Sequence, residues 1–209
     1  MSKSRTSSRK VKERVAPTAL QFEIALEEIE PRIWRRIRFP VESTLWDLHV
    51  AIQDAMGWQD CHLHQFLVAS AMSEAPITIG IPSDDDEIQV YAAWEIPLAL
   101  AFRAPGDKLY YNYDFGDDWM HAIVLEEIVT TGTEIQRPTC IGGARACPPE
   151  DCGGPHMYTE LLRALAGRGK KGEYNELLSR LPRGFDPDRF NPKRVKFDDP
   201  VARLQNMLE

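Results

Sequence analysis

LQFEIALEEI (Leu20 to Ile29), IWRRIRFP (Ile33 to Pro40) and STLWDLHVAIQDAMGW (Ser43 to Trp58) follow one another almost without interruption, and their order decides the fold. In the first run Phe22, Ile24 and Leu26 alternate with charged or small residues, the period of a half-buried strand. Pro31 lies in the break, so the second run reads as the return strand of a hairpin. In the third run Leu45, Leu48, Ile52 and Met56 recur at helical spacing, Ser43 or Thr44 supplies a cap, and Gly57 suits the left-handed C-terminal position. HLHQFLVA (His62 to Ala69) predicts a further strand, which completes a β-β-α-β start.

Working outward, short β-prone runs at Ile77 to Ile81 and Ile88 to Tyr91 flank an acidic interval and predict peripheral strands. KLYYNYD and WMHAIVLEEI are stronger β runs separated by Phe115, Gly116, Asp117 and Asp118, a turn-forming interval, and predict a second, central hairpin. Pro138 to Pro155 holds four prolines and four glycines and reads as one long irregular loop, a type more often functional than not. The C-terminal third is helical: one helix starts at Pro155 and ends near Gly167, a second runs from Tyr174 to Leu181 and stops at Pro182, and a third begins at Asp198 or Asp199. The predicted class is α+β, with a mixed sheet and a β-grasp-like start.

A chain of 209 residues with 43% hydrophobic content can build one core, so residues 17–209 are expected to form a single domain. Residues 1 to 14 carry six bases against Glu13, a local +5, so the chain total of −7 leaves −12 on the remainder. Residues 1–16 therefore read as a disordered basic tail on an acidic body. An acidic body repels phosphates, which confines any nucleic-acid contact to that tail. No run approaches the roughly 20 apolar residues of a membrane span, and the N-terminus has no apolar signal segment, so a cytoplasmic protein without membrane contact is expected. Four cysteines are too few for a disulfide scaffold.

Two stretches concentrate chemistry: YNYDFGDDWMH (Tyr111 to His121) and CIGGARACPPEDCGG (Cys140 to Gly154). The candidate binding residues are His64, Asp114, Asp117, Asp118, Trp119, His121, Glu150 and Asp151. A divalent metal is the cofactor such residues would hold. One set uses His62, His64 and His121 with Asp114, Asp117 or Asp118. Another uses Cys140, Cys147 and Cys152 with His156, although intervals of six and four residues are unlike paired CxxC knuckles. Asp117, Asp118, Glu150 and Asp151 would form a metal-free acid/base group if the loop folds back over the hairpin. Alternatively Glu150 and Asp151 cap the loop's own amides or the following helix. Asp114-Phe115-Gly116 lacks the phosphate loop and catalytic loop of a kinase, so a turn explains it. Arg32, Arg35, Arg36 and Arg38 cluster without a nucleophilic serine and read as a solvated or acid-paired strand edge.

IWRRIRFP, TLWDLHVAIQDAMGWQDCHLHQF, YYNYDFGDDWMHAIVLEEI and CIGGARACPPEDCGG, in that order, closely resemble the plasmid pRiA4b ORF-3-like family over roughly Leu20 to Arg189. The resemblance implies an α+β domain often found near mobile DNA, in a family whose passenger-protein and resolvase labels specify no reaction. The functional expectation is a binding or accessory domain whose DFGDDWMH hairpin and CPPEDCGG loop form a pocket for a protein or small-molecule partner. Two alternatives are a metal-assisted or carboxylate-based hydrolase or nuclease-like enzyme, and a DNA-associated protein acting through the basic tail.

Overall fold

Alternation in the first hairpin settles which side of the sheet is buried. The computed structural model describes residues 18–69, 75–130, 135–168 and 174–208; the tail of residues 1–16 lies outside them. β1 (Ala19–Leu26) and β2 (Trp34–Phe39) pair antiparallel, and α1 (Leu45–Met56) follows, then β3 (His64–Val68), β4 (Ile77–Gly80) and β5 (Val90–Ala92). A one-turn helix α2 (Leu98–Ala101) precedes β6 (Lys108–Tyr113), β7 (Trp119–Val129) and β8 (Thr139–Ala144). Helices α3 (Gly154–Leu165), α4 (Asn175–Arg180) and α5 (Pro200–Leu208) complete the order. The strands form one sheet in the order β5-β4-β3-β6-β7-β1-β2-β8, antiparallel throughout except for β4 with β5. The α+β class with a mixed sheet holds.

One expectation fails here. Pro138 to Pro155 is not loop throughout, because Thr139–Ala144 pairs with β2, with a register shift between Arg36 and Ile37. The Gly142-Gly143 pair hides this strand from a period-2 reading, since glycine contributes neither β propensity nor a side chain to alternate. Space demands one of the two: a Cβ on Gly143 would lie 2.8 Å from the Trp34 carbonyl oxygen and overlap the edge of the Phe190 ring, whereas one on Gly142 would meet only ordinary contacts.

The inner face of the sheet carries Phe22, Ile24, Ile37, Phe39, Phe66, Tyr111 and Ile123, all fully buried, and α1 covers it with Leu45, Leu48 and Ile52. The start of α1 is fixed by a capping box in which Thr44 Oγ1 accepts from Asp47 N and Asp47 Oδ2 accepts from Thr44 N at 2.6 Å. Gly57 closes it at φ 85°. On the outer face Arg36 forks onto Glu126 and also reaches Glu23, while Arg38 donates to Gln21. Arg36 is thus acid-paired and Arg38 amide-paired, and both lie on an inner strand of the sheet and not at its edge. Arg35, by the same alternation, points inward.

Three histidines are packed into the core. His49 and His64 stack at 3.5 Å with 10° between their planes, and His121 meets the edge of Trp58 and Tyr111. Burial holds all three below the ordinary imidazole pKa, and His121 is pushed down to about 4. Each is therefore neutral when folded, whereas the unfolded chain takes up a proton near 6.5. The stability from burying neutral rings is complete above that value and is lost as pH falls toward 4. Unfolding free energies from urea titrations between pH 7 and pH 4 should fall continuously, by on the order of 1 kcal/mol per pH unit for each histidine within its window, and a His121→Phe variant should show a shallower slope.

The C-terminal glycine of the CPPEDCGG loop is a second constraint. Gly154 has φ 77°, and a Cβ there would overlap the carbonyl of Asp117 in the β6–β7 turn. Gly57, also left-handed, has nothing within 4 Å of the same position. Gly57→Ala should cost about 1 kcal/mol for backbone strain alone, while Gly154→Ala should cost roughly 2–3 kcal/mol or more in urea titrations, because strain and overlap add.

Candidate functional site

The β6–β7 turn begins at Asp114, whose φ of 57° is the left-handed conformation that aspartate tolerates better than most side chains. Its Oδ1 accepts from Gly116 N at 3.0 Å and Asp117 N at 3.2 Å, which locks the turn and leaves Oδ2 toward His62. Asp117 Oδ2 accepts from Gly153 N at 2.9 Å, and Asp118 Oδ1 accepts from the Asn112 amide. These two aspartates shape the junction: one ties the turn to the loop and the other ties it to its own strand. Trp119 is fully buried and edges against Tyr158.

The loop is fixed from the other side by Glu150. Its Oε1 accepts from Gln59 N at 2.7 Å and from Tyr113 Oη at 3.1 Å, so the carboxylate bridges to the α1–β3 connection and the end of β6. The idea that Glu150 and Asp151 cap the loop or the next helix is thereby corrected, since α3 has no side-chain cap and Gly153 stands at its N-cap. Trp58 Nε1 adds a bond to the Pro148 carbonyl at 2.9 Å.

These anchors gather four groups at one place. His62 Nε2 lies 3.2 Å from Asp151 Oδ1, 3.6 Å from Asp114 Oδ2 and 4.0 Å from Glu150 Oε2. His62 Nε2 and Glu150 Oε2 are both buried atoms, yet neither makes a hydrogen bond among the described residues. No lysine or arginine pairs with the three carboxylates among the described residues. Asp114 and Glu150 side chains are 10% and 11% exposed against 63% for Asp151, so the cluster is walled on one side and open on the other. His62, Asp114 and Asp151 offer ligand atoms within 4.8 Å of one another, and Cys61, His62 and Glu150 do the same.

The histidines predicted to act together do not. His62 reaches the junction, His64 is stacked in the core with an unpartnered Nε2, and the Nδ1 of His121 is bound to the Trp119 carbonyl at 2.9 Å. Their separation follows from position: His121 pairs opposite Tyr111 under the helix, whereas His62 precedes β3 and escapes the inner face. His49, Asp60 and His64 also lie close together. Stacked parallel rings aim their in-plane lone pairs side by side, however, so one ion cannot take both in this arrangement. The Cys140, Cys147, Cys152 and His156 set does not form a ligand group among the described residues. Burial pushes the Cys152 thiol up to about 12 and raises Cys61 and Cys147 as well, which keeps these sulfurs protonated and poor nucleophiles.

Arg35, expected on a solvated or acid-paired strand edge, is instead buried and bound only to carbonyls, and His49 was passed over in the sequence. The signal for Arg35 was present, because Ile33, Arg35, Ile37 and Phe39 share one strand face by period 2. No helix among the described residues is long and apolar enough to cross a membrane.

The curated relative "Uncharacterized protein y4hQ" of Sinorhizobium fredii is 34% identical over 151 residues, covering 71% of this chain and 74% of the relative. A crystal structure of MM3350, a protein of unknown function from Methanosarcina mazei Go1, superposes with a TM-score of 0.74 at 34% identity and covers 86% of this chain and 98% of that one. The family described as Plasmid pRiA4b ORF-3-like protein matches residues 18–194, a span that includes the sheet, the β6–β7 turn and the whole CPPEDCGG loop; this chain belongs to that family.

Proposed function

We propose that the junction of the DFGDD turn and the CPPEDCGG loop is a divalent-cation site, and that the protein is a cation-dependent binding module. The observation that carries this reading is the approach of three carboxylates, Asp114, Glu150 and Asp151, to within 4.0 Å of one imidazole nitrogen, His62 Nε2, with Glu150 Oε2 buried without a hydrogen bond and no lysine or arginine paired with the group among the described residues. Three carboxylates this close repel one another, and a bound dication converts that repulsion into attraction. One imidazole with carboxylate oxygens suits manganese, iron or zinc better than calcium or magnesium, which prefer oxygen alone. The exposed edge at Asp151 would leave positions for water or for an oxygen of a small-molecule or protein ligand.

Metal-assisted hydrolysis is the second reading, favoured by that same open edge and by the protonated thiols, which offer no competing nucleophile. In it the bound cation would supply an activated water, and Asp151, the most exposed of the carboxylates, would accept its proton.

Protein stripped with a chelator should gain about 2.7 kcal/mol, or roughly 5–10 °C in Tm, from Mn2+ or Zn2+ at about a hundred times Kd, with a smaller response to Mg2+. His62→Ala and Glu150→Gln should abolish the gain, while Asp118→Asn should keep it. Absence of a saturable shift with any of these ions, or an undiminished shift in the His62 and Glu150 variants, would contradict the proposal.

A further inference from the structure

The buried guanidinium of Arg35 is a separate anomaly on the other side of the same loop. Arg35 is 1% exposed and sits on the inner face of the sheet among apolar neighbours. Its Nε donates to the Ala55 carbonyl and its Nη1 to the carbonyls of Trp34 and Ala144, each at 2.9 Å. Nη2 makes no hydrogen bond, and no carboxylate pairs with the group among the described residues. Phe190 covers one face of the guanidinium at 3.7 Å. A buried cation that meets only neutral carbonyls carries an uncompensated desolvation cost of several kcal/mol.

Arg35 lines a cleft of about 420 Å3 between the C-terminal end of α1, the Ala146–Pro149 stretch and the 182–195 segment. That volume falls within the range of small-molecule sites. Met56, Phe185 and Val195 give it apolar walls, and Arg189 and Arg194 stand in its lining with no ion pair among the described residues. The two carboxylates of the cleft are engaged elsewhere. Asp54 holds Arg203 and the amide of Asp198, and Asp186 accepts from the amide of Asp188. The glycine of the CIGG stretch belongs to the same arrangement, since only a bare Gly143 admits the Phe190 ring against β8.

We propose that this cleft binds a small organic anion, a carboxylate carried on an apolar body, with the carboxylate on Arg35 and the body against Met56 and Phe185. The charge supplies the counterion that the fold omits, and Nη2, whose N–H groups are not used by the three carbonyls, is the donor left for it. Phosphate lacks the apolar body and bears more charge than one buried guanidinium balances. The site is independent of the cation junction, since Cys147, Pro148 and Pro149 line this cleft while Glu150 and Asp151 face the other way.

Thermal unfolding at constant ionic strength with sodium benzoate, inorganic phosphate or sodium chloride tests it. Benzoate should give a saturable Tm rise of about 3–6 °C at roughly ten times its Kd, beyond any effect of chloride or phosphate. Arg35→Met, which replaces a buried unpaired charge with an apolar chain of similar length, should keep the native circular dichroism and lose the rise. Titration of the 15N-labelled wild-type protein gives a second readout that needs no variant: the Arg35 side-chain N–H resonances should move with benzoate. No saturable rise, the same rise in Arg35→Met, unmoved Arg35 resonances, or a phosphate response equal to that of benzoate would each overturn the assignment.

Discussion

Glu150 accepting from both Gln59 N and Tyr113 Oη is the interaction on which the junction of the β6–β7 turn and the CPPEDCGG loop depends. It joins three segments separated by 91 and 37 residues in the chain, and it brings the CPPEDCGG loop down onto the sheet. With one oxygen spent on those two donors, the other is buried, unpartnered and turned toward His62. A side chain placed only to hold a loop would be expected to satisfy both oxygens or leave the second in water. The arrangement that fixes the loop is thus the one that leaves a strong acceptor unused beside an imidazole and two further carboxylates.

The loop reaches this position because the backbone can approach the turn closely. Asp117 clamps Gly153 by its side chain, and the carbonyl of Asp117 fills the space a side chain on Gly154 would need. The other glycine pair does the equivalent at β8, where Phe190 closes over Arg35. Both Gly-Gly pairs are therefore positions of close approach, and between them the loop presents one surface to the Arg35 cleft and the other to His62. The proposed cation site and the proposed anion cleft would lie on opposite sides of this one loop, and its prolines stiffen the segment that separates them.

Much of this was legible in the sequence wherever side chains alternate or recur. Phe22, Ile24 and Leu26 revealed β1, Leu45 through Met56 revealed α1, and the Asp and Gly residues at 114–118 revealed the turn. Strand β8 was not legible, because Gly142 and Gly143 carry no side chains from which to read a face. The convergence of His62 with Asp114, Glu150 and Asp151 was only half legible. The carboxylates stood out by density, but His62 and His64 share a face by period 2, and they separate only because β3 begins at His64 and leaves His62 outside the strand. Glu150 was read as a local cap because local partners are all that spacing reveals, and its actual partners are distant. Arg35 was legible by period 2 and was obscured by its outer-face neighbours Arg36 and Arg38.

The central claim is that His62, Asp114, Glu150 and Asp151 form a cation site and not merely a surface cluster of acids. Anomalous diffraction from crystals grown from chelator-stripped protein and soaked in MnCl2 tests it most directly. One strong anomalous peak is predicted within coordination distance, about 2.0–2.3 Å, of His62 Nε2 and the Asp114 and Asp151 carboxylates, with Glu150 beside it. Manganese absent from this junction in fully soaked crystals, with Glu150 Oε2 bound instead to an ordered water or a protein donor, would contradict it.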